Sequence, residues 1–224
     1  NGDPGAVYRL RFHPTLPQIA LAAAGNGLWR STDGGVQWTR VVTASYVYDL
    51  AFAADNSAVA LYDGRAWRST DDGQTWQPLT STPIERLGEL GLSPDGGTLL
   101  ASVDTHLYRY DVGSGEFVTV TTQPALSNIR RIVFSPAFAA DQTVLVGTND
   151  GVWRSSDGGQ TFVRSAGFAP LTVFSIAAAG NVLAGDLYVG TEGGVWRHSG
   201  ATWEPLNAGL GFGDPIPINS VALS

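Results

Sequence analysis

Five times the chain repeats an apolar-aromatic-Arg run that leads into a tight turn. The arginines of these runs are Arg30, Arg68, Arg109, Arg154 and Arg197, spaced 38, 41, 45 and 43 residues apart. Three of the turns carry a full box. These are Ser31-Thr32-Asp33-Gly34-Gly35-Val36-Gln37-Trp38, Ser69-Thr70-Asp71-Asp72-Gly73-Gln74-Thr75-Trp76 and Ser155-Ser156-Asp157-Gly158-Gly159-Gln160-Thr161-Phe162. A period of roughly 40 residues with strand-type patterning marks the blades of a propeller. The sequence therefore predicts an all-β chain, a β-propeller of four-stranded antiparallel blades.

Within each repeat four strands, A to D, are expected. The A strands centre on Leu10-Arg11-Phe12, Leu50-Ala51-Phe52, Leu90-Gly91-Leu92, Ile132-Val133-Phe134 and Ile176-Ala177-Ala178. The B strands are the apolar runs Ile19–Ala23, Val59–Tyr62, Leu99–Val103, Val144–Gly147 and Leu187–Gly190. The C strands hold the aromatic-Arg pairs, and the D strands follow the boxes. This gives one propeller domain over 1–224, with blades near 7–44, 45–84, 85–125, 126–170 and 171–214. A sixth A-type run, Val221-Ala222-Leu223, predicts an extra inner strand over 217–224. Either that strand pads a five-bladed ring or the chain is part of a larger propeller, since unpaired blade edges need partners.

The 224 residues suffice for a sizeable core, and 28 glycines with only 15% charged residues suit short strands and tight turns. The net charge is −7, and all 13 cations are arginine. That balance speaks against nucleic acid as the main ligand, which wants a basic surface. With no cysteine, disulfides and thiolate chemistry are excluded. The longest apolar stretch, Ile19 to Ala24, is far shorter than a membrane span. There is no signal-like segment, and a chain beginning at Asn1 reads as processed or truncated.

The boxes read as hairpin fasteners between the C and D strands. Their glycines permit positive φ. The carboxylates of Asp33, Asp71 and Asp157 are placed to accept N–H groups of their own turns, with Ser31, Ser69 and Ser155 adding a second local bond. Gly35, Gly73 and Gly159 complete the turns. Trp38, Trp76 and Phe162 then bury a ring between neighbouring sheets. Blade three departs from the pattern, with Val112 at the box Asp position. Blade five is two residues shorter and lacks the Asp. No metal and no cofactor is called for by these residues.

These boxes resemble bacterial neuraminidase (BNR, Asp-box) repeats. Such repeats recur in sialidases, xyloglucan-cleaving glycosidases, sortilin-type receptors and photosystem assembly-factor propellers. The resemblance covers nearly the whole chain and implies architecture rather than activity, because in these families the boxes lie on the outer rim. It also implies a ligand face built from B–C and D–A loops, and export to an extracellular or periplasmic location.

On that face the B–C loops carry Asn26-Gly27, Asp63-Gly64, Asp104, Asn149-Asp150-Gly151 and Glu192-Gly193-Gly194. These are first of all what short hairpin turns demand. The D–A loops differ from blade to blade, so their polar residues are the better recognition candidates: Tyr46, Tyr48, Arg86, Arg130, Arg131 and Asp214. A glycosidase would need two carboxylates at controlled separation, for which Asp49 and Glu85 are the candidates, with Arg86, Arg130 and Arg131 gripping an anion. The Phe/Tyr-Arg-Ile-Pro segment of sialidases is missing, since Pro215-Ile216-Pro217-Ile218 lacks the arginine. His13, His106 and His198 have no triad-like context and read as surface or turn residues. The expected function is a non-catalytic binding or scaffold propeller for a protein or glycan. The alternative is a glycoside hydrolase or sialidase-like enzyme.

Overall fold

A computed structural model describes residues 4–178, 186–199, 202–210 and 216–222. Among them are five four-stranded antiparallel sheets, each in sequential order. The first holds β1 (Val7–Phe12), β2 (Ala20–Ala24), β3 (Gly27–Ser31) and β4 (Thr39–Val42). The second holds β5 (Val47–Phe52), β6 (Ala58–Tyr62), β7 (Arg65–Ser69) and β8 (Gln77–Pro78). The third holds β9 (Leu90–Leu92), β10 (Leu99–Val103), β11 (His106–Asp111) and β12 (Glu116–Val120). The fourth holds β13 (Ile129–Phe134), β14 (Val144–Thr148), β15 (Gly151–Ser155) and β16 (Val163–Arg164), with the helix α1 (Phe138–Asp141) between β13 and β14. The fifth holds β17 (Val173–Ala178), β18 (Asp186–Thr191), β19 (Gly194–Ser199) and β20 (Thr202–Pro205).

The chain divides into two compact units. One comprises Asn1–Val103 with Tyr108–Val118, the other Asp104–Leu107 with Thr119–Ser224.

In the first unit the second strand of each blade is covered on both faces. That is why β2 and β6 read as unbroken apolar runs rather than alternating ones. Leu50 of β5 and Trp76 of the second box pack against Leu21, Ala23 and Leu28 of the preceding blade. Gly73 must be glycine, because its φ is +81° and a Cβ would stand 2.6 Å from a Leu21 methyl carbon. Arg30 reaches across to the next blade as well, its Nε donating to the Asp72 carbonyl at 2.8 Å. Arg68, one repeat on, instead donates to Asp55 and Ser57 of its own blade, so the joint is a role of Arg30 rather than of the repeated position. The first blade differs at its inner strand: Leu10 is 44% exposed, whereas its repeat equivalent Leu50 is 1% exposed.

The second unit repeats the scheme. Leu145, Val152, Phe168, Val173, Leu187 and Val189 form its main cluster, with Trp196 and Trp203 against it. The Phe168 ring meets the Trp203 ring edge-on at 4.5 Å. The four-residue α1 was not expected from the sequence. It buries Phe138 against Phe134 and ends on Gln142, which adopts a left-handed conformation. Residues 216–222 are not a strand, which corrects the expected sixth inner strand for the described part of 217–224. Ile218 N–H does bond the Thr191 carbonyl at 2.9 Å, and the Ile218 backbone crowds Gly190. The segment thus lies along β18 as an inner strand would. Among the described residues, no strand pairs with it in a ladder. Leu223 and Ser224 lie outside the described residues.

Candidate functional site

The boxes form closed hydrogen-bond networks. Asp71 Oδ1 accepts from the Ser69 hydroxyl (2.8 Å), Gln74 N–H (3.1 Å) and Thr75 N–H (2.9 Å), and Oδ2 accepts from the Thr75 hydroxyl (2.6 Å). Ser69 Oγ in turn accepts Gly73 N–H at 2.9 Å. Asp157 repeats this with Ser155, Gln160 and Thr161. Asp33 does so with Ser31, Val36 and Gln37. Burial alone would raise the Asp71 and Asp157 carboxyls. The threonine hydroxyl and N–H bonds, with those of the serine and glutamine, outweigh it and hold both below the usual range. In blade three the turn uses Asp111 instead, which accepts Ser114 N–H at 2.9 Å. With their oxygens committed to their own turns, these carboxylates fasten hairpins. Among the described residues, no group of three or more His, Cys, Asp or Glu could hold a metal ion.

The inner strands carry a bulge at a repeated place. The ladder register shifts between Val7 and Arg9, Val47 and Asp49, Ile129 and Arg131, and Val173 and Ser175. The extra residue of a bulge is left out of the pairing and its side chain is re-aimed. Those residues are Tyr8, Tyr48, Arg130 and Phe174. In the first unit this brings Tyr8 and Tyr48 out to solvent beside Tyr46, at 47%, 41% and 51% exposure. The Tyr8 and Tyr46 rings lie 6.4 Å apart, and those of Tyr46 and Tyr48 lie 6.2 Å apart and near parallel at 23°. Tyr8 is absent from the sequence-derived candidates, although it precedes Tyr48 by one repeat.

Beside the tyrosines lies a cavity of about 450 Å³, lined among others by Gly25, Asn26, Arg40, Thr43, Ser45 and Asp63. Its walls are ordered by Trp29, which donates from Nε1 to Asn26 Oδ1 at 2.9 Å and lies under the Arg40 guanidinium at 5.8 Å. Gly27 must lack a side chain here. Its φ is +135°, and a Cβ would overlap the Val42 carbonyl oxygen. Asp63 and Gly64 both have positive φ, 50° and 69°, as the two central residues of a tight hairpin require. Burial, with the Asp63 carboxylate close by, pushes the Tyr62 hydroxyl up, so it stays neutral.

The remaining candidates fall elsewhere. Asp49 is 2% exposed. Its oxygens accept from Arg9 Nε (2.7 Å), Leu50 N–H (2.8 Å) and Leu90 N–H (3.0 Å), and Arg9 also donates to Glu89 at 3.0 Å. Arg9, Asp49 and Glu89 stand one repeat apart on successive blades, and sequence reasoning passed over both Arg9, the partner of Asp49, and Glu89, the second partner of Arg9. Glu85 and Arg86 are exposed, Arg86 with a φ of +64°. In the second unit Arg130 Nε donates to Asn149 Oδ1 at 2.8 Å, and Arg131 Nη1 donates to the Arg130 carbonyl at 2.7 Å. Asp214 lies outside the described residues. His13 is buried rather than on the surface. Its Nδ1 accepts the Thr15 and Leu16 N–H groups and its Nε2 faces Asp72 at 3.1 Å.

No protein-family model and no curated protein matches the sequence. Solved structures do. The chain is similar to an ancestral GH74 enzyme at 19% identity and a TM-score of 0.73, covering 93% of this chain and 32% of that one. It is similar to YCF48 bound to D1 peptide at 16% identity and a TM-score of 0.63, covering 84% and 64%. It is also similar to an auxiliary nutrient binding protein from Bacteroides thetaiotaomicron at 13% identity and a TM-score of 0.64, covering 89% and 56%. The chain spans less than two thirds of each of these proteins. At such identities the likeness is one of fold. The chain is an all-β propeller protein of four-stranded antiparallel blades, a fold used both by binding proteins and by GH74 enzymes. No helix among the described residues is long and apolar enough to cross a membrane.

Proposed function

We propose that the chain is a non-catalytic Asp-box propeller, one module over residues 1–224. It recognises a protein or glycan through its D–A and B–C loops, outside the cell or in the periplasm. The observation that carries this reading is the row of exposed tyrosines, Tyr8, Tyr46 and Tyr48, beside a polar cavity. Exposed aromatic rings cost solvation and offer contact area with little rotamer entropy to lose, which is the chemistry of a recognition surface. Asp49, one of the two carboxylates a glycosidase would use, is committed to Arg9 and two backbone amides. Among the structural neighbours, one is bound to a peptide and another is a nutrient binding protein, which supports binding as the role of such blades.

The test is a paired assay on the purified chain. Binding is measured against arrayed glycans and immobilised proteins, and turnover against aryl glycosides including sialosides. Binding abolished by the double change Tyr46→Ala and Tyr48→Ala, without turnover, is the expected result. Turnover that disappears in Glu85→Gln would overturn the non-catalytic reading.

A further inference from the structure

We infer that the tyrosine row and the adjoining cavity of the first unit form one site for a neutral oligosaccharide. This rests on the binding role proposed above and narrows it to a ligand class. The two parts are continuous. Gly25 lines the cavity and lies against the Tyr8 hydroxyl, which is 3.5 Å from where a Cβ would stand. Ser45, another wall residue, directly precedes Tyr46.

The two parts also differ in chemistry in the way a sugar ring does. A pyranose has faces of C–H bonds and a rim of hydroxyls. The C–H faces suit the electron-rich faces of tyrosine rings. Each rim hydroxyl both donates and accepts, so it needs donors and acceptors side by side. The cavity supplies the Arg40 guanidinium as donor, the Asp63 carboxylate as acceptor and the Thr43 and Ser45 hydroxyls as either. Its one cation and one anion compensate each other, which favours an uncharged ligand over an acidic sugar or a charged peptide. Its volume, about 450 Å³, is in the range of small-ligand pockets. The row of rings alongside extends the contact beyond a single sugar unit. A protein partner would instead look for an apolar socket to seat an anchor side chain, and these walls are polar.

Positioning is built in. Arg40 is held over Trp29, and Asn26 accepts the Trp29 N–H, so the donors on this wall are ordered before any ligand arrives.

The experiment is calorimetric titration of the whole chain with cellohexaose, laminarihexaose, mannohexaose and a xyloglucan heptasaccharide. Tyr46→Ala, Tyr46→Phe and Asp63→Asn are titrated alongside, with thermal melts confirming that each variant folds. Tyr46 and Asp63 are exposed, so these changes leave the core intact. The expected result is binding of at least one probe. Tyr46→Ala and Asp63→Asn should each weaken it about tenfold, and Tyr46→Phe should hold it near wild type. Failure of all four probes overturns the carbohydrate assignment. If an arrayed protein then binds and Tyr46→Ala abolishes it, the broader binding reading survives alone. If a probe binds but ignores Tyr46→Ala and Asp63→Asn, this site is the wrong one. If no arrayed ligand depends on the tyrosines, both readings fall.

Discussion

Asp49 decides between two views of the first unit, and replacing it with alanine separates them. Three changes follow at once. Leu50 N–H and Leu90 N–H lose their acceptor, at about 1–3 kcal/mol for each buried donor left unpaired. The Arg9 guanidinium, only 19% exposed in its side chain, keeps Glu89 alone as counter-ion. These costs overlap, because all three groups share one carboxylate. The whole is therefore set at the value for breaking a buried ion pair, about 3–5 kcal/mol. For a chain of this size each kcal/mol moves the melting temperature by about 2–4 °C, so Asp49→Ala should melt roughly 10 °C lower. The assay is thermal denaturation by near-ultraviolet circular dichroism, repeated with Arg9→Ala and with both changes together. The double variant should be less destabilised than the two single costs added, since each single change already breaks the shared bond. A melt within 2 °C of wild type, at about 1 kcal/mol or less, would refute the structural assignment. Loss of glycoside turnover with an unchanged melt would make Asp49 catalytic instead.

Two further outcomes follow from the packing and the boxes. A Cβ on Gly147 would stand 2.5 Å from Val173 Cγ1 and 3.2 Å from Ile176 Cδ1. Gly147→Ala should therefore cost about 1–3 kcal/mol in urea unfolding, and a second change, Val173→Ala, should recover part of it rather than add to it. Asp71 has a folded-state pKa below its unfolded value, so the charged carboxylate stabilises the fold above the unfolded pKa, about 4. That contribution is lost as pH falls through the lower, folded value. The stability gap between wild type and Asp71→Ala should be full at pH 7 and close as the solution is acidified below pH ~4. A gap independent of pH would show that the box works by shape alone.

What the sequence makes legible is whatever repeats at short range. The B strands appear as apolar runs because burial on both faces forbids alternation, and the boxes appear because donor and acceptor lie within five residues of each other. Bulges leave no such mark. Tyr8 and Arg9 sit in a strand that reads simply as alternating. Only the ladder shift between Val7 and Arg9 reveals that Tyr8 joins Tyr46 and Tyr48 while Arg9 turns to Asp49. His13 sits at a turn, as its sequence context suggests, but its burial is hidden for a related reason. Its acceptor, Asp72, is 59 residues away, and distance in sequence hides a partner that periodicity alone would not suggest. The short α1 escaped because four residues carry too little pattern to mark a helix.

Asp72 shows how a repeat can be spent on something other than its own blade. The corresponding positions of the other full boxes are Gly34 and Gly158, with φ of +76° and +74°; Asp72 takes the same left-handed conformation at +58°. A non-glycine residue there carries a strain of about 1–2 kcal/mol, least for Asp and Asn. The strain is offset by two bonds to the preceding blade, Arg30 Nε to the Asp72 carbonyl and His13 to its carboxylate. The polarity of the second bond follows from the other ring nitrogen. His13 Nδ1 accepts two backbone amides, so in the neutral ring the proton sits on Nε2 and points at Asp72. A glycine would relieve the backbone and leave the buried imidazole without its acceptor. The strained residue is thus kept for the joint between the first two blades. The tyrosine row is drawn from the inner strands and loop of those same two blades. Coupling of the blades through these bonds fixes Tyr8 relative to Tyr46, which the proposed site, split between two sheets, requires in order to bind one ligand.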